Sequence, residues 1–462
     1  MNPVLYWNAV LLEASRRDFT RGFNNAQQPG PIRTSRAMAI VHIAIHDVVA
    51  FRANQPGATW LQKSGAAHGI VPSAGGDRED MIAGAAVTAL KALYPNYHGY
   101  FDDSLGSVSG PAFTYGASVA NAVLAARASD GSNDTIATGQ ADSLAYGDHR
   151  ADPYQPGQNR LGLRWGNVTR FTGGAPLPLD PYPGHGTPDF LANPAYRQDF
   201  EEVRDHGALG RGARTAEQQR IGVYWGYDGA MNLGVPPRLY NQVARRIVEG
   251  RVLSVPKTAE LFAILNVAMA DAGIDAWHHK YVNNLWRPVV GIRQEPATDG
   301  GDPFWAPLGA PQTNTGVRSP HTPNFPAYPS GHATFGAALL QSLRLSLKTA
   351  QGPISVADVL AFDTPGAPAV PGETFSFVSD ELDGISGDPD GSTRTRVEKQ
   401  FRSYAEAVWE NAVSRVYLGV HWRFDGLPRD AADNIGGVPL GLKVGQQAHA
   451  MFNTGPSLAG VD

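Results

Sequence analysis

Phe325-Pro-Ala-Tyr-Pro-Ser-Gly-His-Ala-Thr-Phe-Gly336 is a proline-rich loop that runs straight into an apolar helical pattern at Ala333. The junction sets a helix N-terminus at Ser330-Gly331. Unpaired backbone N–H groups and the positive end of the helix dipole make such an end an anion site. Ser330 offers a hydroxyl, and Gly331 lets the backbone approach closely. His332 sits beside the anion and titrates near neutral pH, which suits acid or base work. Taken alone, these residues also describe an ordinary serine cap followed by a histidine.

Two further segments extend the pattern. Upstream, Trp277-His-His-Lys-Tyr-Val-Asn-Asn-Leu-Trp-Arg-Pro288 carries Lys280 and Arg287. Seven residues are almost two helical turns, so one helix would present both cations on one face, ended by Pro288. Two cations aimed the same way suit one anion, although a solvated basic face reads alike. Downstream, Ser414-Arg-Val-Tyr-Leu-Gly-Val-His-Trp-Arg-Phe-Asp425 carries Arg415, His421 and Asp425. Arg415 offers a planar fork that matches oxyanion geometry. Asp425, one turn beyond His421, is placed to orient its imidazole. On one straight helix Arg415 and His421 would lie about 120° apart. The helix must therefore stop or bend near Gly419 if both face one ligand.

Around these segments helical periodicity dominates, over 1–20, 32–52, 78–94, 113–129, 216–227, 236–250, 258–286, 331–350 and 394–418. Sustained β-type alternation is scarce, so the expected fold is all-α: two helical bundles packed together. Gly/Pro-rich loops are expected over about 130–199, 294–329 and 363–392. The first loop suggests a division into an N-terminal bundle lobe, 1–210, and a C-terminal bundle lobe, 211–462, which carries all three segments.

Composition narrows the function classes. A chain of 462 residues with net charge -5 lacks the basic excess of a general nucleic-acid binder. With no cysteine, disulfides, thiolate metal sites and a cysteine nucleophile are excluded. Only six methionines leave few easy targets for an oxidant. The N-terminus reads as an amphipathic helix (Leu5, Ala9, Leu12) without the pattern of a secretory signal. The longest apolar stretch, 37–51, is interrupted by His42, His46 and Asp47, so a soluble chain without a membrane span is expected. His42 and His46 have the spacing of a helical metal pair, but their apolar setting favours a structural role. The acidic stretch 380–390 lacks EF-hand order and reads as a solvated loop. Homo-oligomer formation is compatible with this sequence.

Lys-x6-Arg-Pro, Pro-Ser-Gly-His and Ser-Arg-x5-His-x3-Asp, all matched between Trp277 and Asp425, resemble the signature of one superfamily. It joins type 2 phosphatidic-acid phosphatases, bacterial acid phosphatases and vanadium-dependent haloperoxidases. Chain length, Trp277 three residues before Lys280, and the runs 325–336 and 414–425 are most similar to the chloroperoxidase-like branch. That resemblance implies a vanadate cofactor, with phosphate as a competitor. It implies that Lys280, Arg287 and Arg415 neutralise the oxyanion, and that Ser330 and Gly331 donate to it. His421 would be the axial ligand of vanadium, held by Asp425. His332 would handle protons, Lys280 would polarise bound peroxide, and Trp277 and Phe325 would line the halide pocket. Hydrogen peroxide and halide (bromide, with chloride within reach of that pocket) would give hypohalous acid, passed on to any organic acceptor. The alternative within the superfamily is a soluble acid phosphatase with a phosphohistidine at His421.

Overall fold

A computed structural model describes residues 1–458, apart from 21–25, 56, 74, 134–142, 144, 211 and 318. Part of the first expected loop thus lies outside the described residues. The architecture is all-α. The Val255–Asn283 helix is the axis of the molecule: 23 of its 29 residues are buried, so it is covered on every side. The Gly30–Arg52 helix packs along it, and the Gly331–Leu347 and Gly437–Asn453 helices pack against it as well. Behind Gly30–Arg52 lies Arg78–Leu93, which in turn packs on Pro111–Ala126. The Gly30–Arg52 helix is long and apolar enough to cross a membrane, yet 94% of its apolar 18-residue stretch is buried inside the protein. Its length serves the core.

His42 and His46 are held within that core. His46 Nδ1 donates to Asp47 Oδ1 at 2.8 Å, and His42 Nε2 lies 2.9 Å from Asn8 Nδ2. Asp47 also accepts the N–H groups of Trp60 and Leu61, which open the next short helix. The first loop is strapped to the axial helix: Phe171 N–H bonds Asp271 at 2.6 Å, and Arg170 pairs with Asp275 at 2.9 Å. In the acidic stretch, Glu381 and Asp388 both pair with Arg394.

Several elements depart from the expected pattern, the Pro194–His206 helix at the end of the first loop among them, and two bear on how the site is backed. The expected helix 394–418 begins only at Tyr404, capped by Ser403, because Glu398–Phe401 pairs antiparallel with Phe375–Val378 as a two-stranded sheet. Pairing between residues 20 to 26 positions apart has no local signature in either strand. The Gly437–Asn453 helix is the second departure. Its glycines lower helix propensity, yet they are what lets it pack. A Cβ on Gly441 would lie 2.3 Å from the Thr334 carbonyl, and one on Gly445 would lie 2.5 Å from that of Ala338. This close approach backs the helix whose N-terminus carries Ser330 and Gly331.

Candidate active site

The three chemistry-bearing segments converge, though not quite as one helix face would bring them. The axial helix stops at Asn283, and Asn284 takes a left-handed conformation with φ 45°, its N–H bonded to the Lys280 carbonyl. Asn tolerates that conformation at low cost. Arg287 then stands in extended conformation as the cap of Pro288–Gln294. Lys280 and Arg287 therefore meet because the chain turns between them, and the expectation of one shared face is corrected.

Lys280 is fully buried, and its ammonium donates to the carbonyls of Pro326 (2.8 Å), Ala327 (3.1 Å) and Pro329 (2.6 Å). An ammonium has three N–H donors, so all of them are engaged in holding the cradle loop. Its influence on a nearby anion is then through charge. Arg287 also grips the loop, with Nε donating to the Phe325 carbonyl at 2.9 Å. The rings of Phe325 and Trp277 lie 4.9 Å apart, with the Lys280 ammonium 4.9 Å from the Phe325 centroid.

Ser330 caps the Gly331–Leu347 helix, its Oγ accepting the Ala333 N–H at 3.5 Å and its own N–H bonded to the Asp425 carbonyl at 2.7 Å. The Ser330 hydroxyl proton remains to donate. A Cβ on Gly331 would sit 3.2 Å from the Trp277 ring, so glycine keeps this wall of the site thin. Downstream, the Tyr404–Tyr417 helix ends as required: Gly419 adopts φ 70°, and a Cβ there would meet the Gly207 carbonyl at 2.4 Å. This turn swings His421 back towards Arg415.

The tautomers of both histidines follow from their partners. His421 Nδ1 lies 2.7 Å from Asp425 Oδ2, and Arg287 Nη1, which can only donate, meets the other ring nitrogen, so Nδ1 carries the proton. Its Nε2 is then the bare lone pair, and Arg287 Nη1 donates to it at 3.0 Å. His332 Nε2 donates to the Gly226 carbonyl at 2.7 Å, which leaves Nδ1 as its proton acceptor. Tyr240 and Asn411 fix the same residue by donating to its backbone carbonyl at 3.0 and 2.8 Å.

The site is buried and rich in positive charge, which shifts its titratable groups. Burial, then Arg287 and Arg415, pushes Lys280 well below its ordinary value. Burial brings Arg287 down to about 9. Burial and Arg415 bring His332 down to about 3, and burial with Arg287 lowers His421 well below its ordinary value. Burial raises Asp425 to about 8 against the pull of Lys280 and Arg287.

Asp228 is the residue that sequence reading overlooked. It follows Tyr227, which adopts φ 55°, and its carboxylate takes Arg415 Nη2 at 2.7 Å while lying 3.9 Å from His332 Nε2. A lone Asp in the run Trp-Gly-Tyr-Asp-Gly carries no spacing signal; only its place between two helical stretches could have drawn attention. The loop is fixed from behind, since Glu381 accepts the Tyr227 N–H at 2.8 Å.

What the constellation lacks is as informative as what it pairs. Among the described residues, Arg287 Nη2 and Arg415 Nε and Nη1 are buried with no hydrogen-bond partner. Buried donors on cations are seldom left unpaired. Two guanidiniums with spare N–H groups, a helix N-terminus and a serine hydroxyl form a donor set that fits a tetrahedral oxyanion such as vanadate or phosphate. Gly331, His332, Arg415 and His421 line the inner part of a cavity of about 670 Å³.

Residues 260–455 match the family described as VCPO second helical-bundle domain, and residues 1–103 match the vanadium chloroperoxidase N-terminal domain. The vanadium chloroperoxidase of Curvularia inaequalis is 30% identical, with 98% of this chain and 90% of that protein covered. Among solved structures, a bacterial vanadium-dependent iodoperoxidase superposes with a TM-score of 0.67 at 21% identity, covering 96% of each chain. The holo form of a bacterial vanadium-dependent chloroperoxidase does so with 0.61 at 16% identity, covering 93% of this chain and 95% of that one. These two likenesses bear on the fold, whereas the fungal relative and the two domain matches bear on ancestry: the chain belongs to the vanadium chloroperoxidase family.

Proposed function

We propose that this protein is a vanadate-dependent haloperoxidase that oxidises bromide, and chloride within reach of the Trp277–Phe325 pocket, with hydrogen peroxide to hypohalous acid. The observation that carries the reading is the set of unpaired guanidinium N–H groups on Arg287 and Arg415 beside the bare Nε2 of His421. In this reading Arg287, Arg415, Ser330 and the Gly331 N–H hold the oxyanion, and His421 Nε2 is the donor to vanadium. Charge-assisted hydrogen bonds of this kind contribute roughly 1.5–3 kcal/mol each. Bound vanadate supplies a Lewis-acid centre that activates hydrogen peroxide towards halide.

The chain's own residues do the rest. His332 Nδ1 takes the proton that peroxide gives up, and Gly226 holds the ring so that this nitrogen stays bare. Asp425 keeps the His421 proton on Nδ1. Lys280 adds positive charge and anchors the loop through its three carbonyls. Trp277 and Phe325 offer a low-dielectric wall to a weakly hydrated halide. We further propose the lobe division 1–210 and 211–462, with the site in the second lobe.

The test is a pair of assays on protein freed of metal. Vanadate with peroxide and bromide is expected to switch on bromination of a phenolic dye, and phosphate is expected to compete. If vanadate never restores bromination while the metal-free protein hydrolyses a phosphomonoester efficiently, the phosphatase alternative replaces this reading.

Anion binding also has a protonic signature. Lys280, Arg287, His332 and His421 are all depressed. Negative charge placed among them raises every one, and raises Asp425 as well, so binding takes up protons. Affinity is therefore expected to fall as pH rises, and the Arg287 share of that fall sets in above its unbound value of about 9. Calorimetry of phosphate binding in two buffers of different ionisation enthalpy reads the uptake. Proton release, or uptake unchanged in Lys280→Met after allowance for phosphate's own titration, contradicts the assignment.

A further inference from the structure

The partners of His332 and Arg415 hang on one three-residue turn. Gly226 supplies the carbonyl that takes His332 Nε2, and Asp228 supplies the carboxylate that takes Arg415 Nη2. Between them Tyr227 stands at φ 55°, a left-handed conformation that a bulky residue holds only where its surroundings impose it. Those surroundings come from the acidic stretch 380–390. Glu381 Oε1 accepts the Tyr227 N–H at 2.8 Å, and the Asp380 N–H donates to the Tyr227 hydroxyl at 2.9 Å. Gly226 sits directly on the same carboxylate: a Cβ there would lie 2.7 Å from Glu381 Oε1. Asp380 also accepts from Arg238 at 2.6 Å and Gln242 at 3.0 Å. On the Pro236–Glu249 helix these two flank Tyr240, which holds the His332 carbonyl.

Glu381 is itself locked. It is fully buried, and its Oε2 accepts from the Thr313 hydroxyl and from Arg394 Nη1, the latter at 2.6 Å. Arg394 continues through Nε to Asp388, a half-exposed residue, at 2.8 Å. A buried ion pair is a weak source of stability, because desolvation offsets most of the attraction. The chain has another such pair, Arg344 with Glu373 at 2.7 Å, in which the glutamate is equally buried. Glu373 accepts from Thr349 and from the Tyr404 N–H instead. What sets Glu381 apart is that it bonds the turn bearing the partners of His332 and Arg415.

We infer that Glu381 is a positioning residue for proton transfer: locked by Arg394 and Thr313, it holds Tyr227 left-handed, so that the Gly226 carbonyl keeps the His332 proton on Nε2 and leaves Nδ1 free to accept. This rests on the haloperoxidase reading for its kinetic effect alone, since the tautomer belongs to the protein without vanadate. When Glu381 is removed, Tyr227 relaxes towards negative φ and the Gly226 carbonyl turns away. His332 then carries its proton on either nitrogen, and the half with a protonated Nδ1 cannot take one from peroxide. Arg415 loses its carboxylate partner in the same movement, which leaves its N–H groups available to an oxyanion. Proton transfer therefore falls while anion affinity is kept. The third Gly/Pro-rich loop thereby acquires a role, as the bracket behind the proton acceptor.

The experiment replaces each ion pair as a pair on the full chain. Glu381→Met with Arg394→Met leaves no unpaired buried charge, and such swaps keep a fold. With vanadate, bromide and peroxide this double variant is expected to lose about tenfold to a hundredfold in kcat/KM for peroxide. KM for bromide and phosphate affinity should stay at wild-type values. Glu373→Met with Arg344→Met is the control and should keep wild-type kcat/KM. Without vanadate, at neutral pH, nitrogen NMR of histidine-labelled protein reads the tautomer, with His332 assigned by the signals that His332→Gln removes. Wild type and control should show the His332 proton on Nε2, and the Glu381 double variant should show both tautomers. A wild-type tautomer pattern or an undiminished kcat/KM in the folded double variant overturns the assignment, as does an equal loss in the control. If that variant does not fold, Thr313→Val, which removes one bond to Glu381, is read instead: a smaller loss with mixed tautomers supports the bracket, and wild-type behaviour overturns it. Failure of the haloperoxidase reading appears separately, as absent bromide oxidation in wild type, while the tautomer still decides the bracket.

Discussion

Replacing His421 with alanine is expected to reduce vanadate-dependent bromide oxidation to the background of free vanadate, while the protein still binds phosphate. The two halves of that outcome have different causes. His421 Nε2 is a bare ring nitrogen met by Arg287 Nη1 at 3.0 Å, its ring fixed by Asp425 at 2.7 Å. On the proposed reading, vanadium then loses its protein donor. The oxyanion itself is held mainly by charge and by the helix end. Deleting one neutral hydrogen-bond partner costs about 1 kcal/mol, which keeps phosphate affinity within about tenfold of wild type. Steady-state bromination and phosphate calorimetry on the same preparation separate the effects. Full activity in His421→Ala sinks the axial-donor assignment, and complete loss of phosphate binding with the fold intact sinks the division of labour.

His332→Ala is the second large effect, and it should look different. His332 is engaged through Nε2 by Gly226 and through its carbonyl by Tyr240 and Asn411, so its ring is positioned for proton transfer. Loss of a positioned acid or base costs on the order of 10²–10⁴ in rate. We expect kcat/KM for peroxide to fall by that order, with phosphate affinity unchanged or slightly higher. The wild-type rate should lose a protonation that the variant no longer shows at low pH, since burial and Arg415 hold His332 down to about 3. An unchanged acid limb in the variant would assign that limb to another group.

The parts of the site legible in the sequence are those whose chemistry needs fixed spacing. Ser330-Gly331-His332 at a loop-to-helix junction, Arg415 and His421 across a glycine, and Lys280 before Arg287 are such parts. The bend near Gly419 could be demanded from geometry alone, and the chain makes it there. Asp228 escaped because it acts through a contact with Arg415 from 187 positions away, and one carboxylate in a glycine-rich turn has no period. The Gly437–Asn453 helix escaped for the opposite reason. Its glycines read locally as helix breakers, while their value lies in the backbone of a neighbouring helix. The shared face assumed for Lys280 and Arg287 failed because an asparagine can end a helix without any break in its hydrophobic pattern.

The contact between Arg287 Nη1 and the bare nitrogen of His421 also has a bearing on time. A donor atom capped by a guanidinium cannot accept a metal until the cap swings away, and Arg287 is itself tethered to the carbonyls of Phe325 and Val420. Cofactor loading is thus an exchange of partners. An incoming oxyanion would lodge first on the spare N–H groups, and its negative charge would then draw Arg287 off the neutral histidine. The observed loading rate should therefore level off at high vanadate, at the frequency with which that arginine lets go.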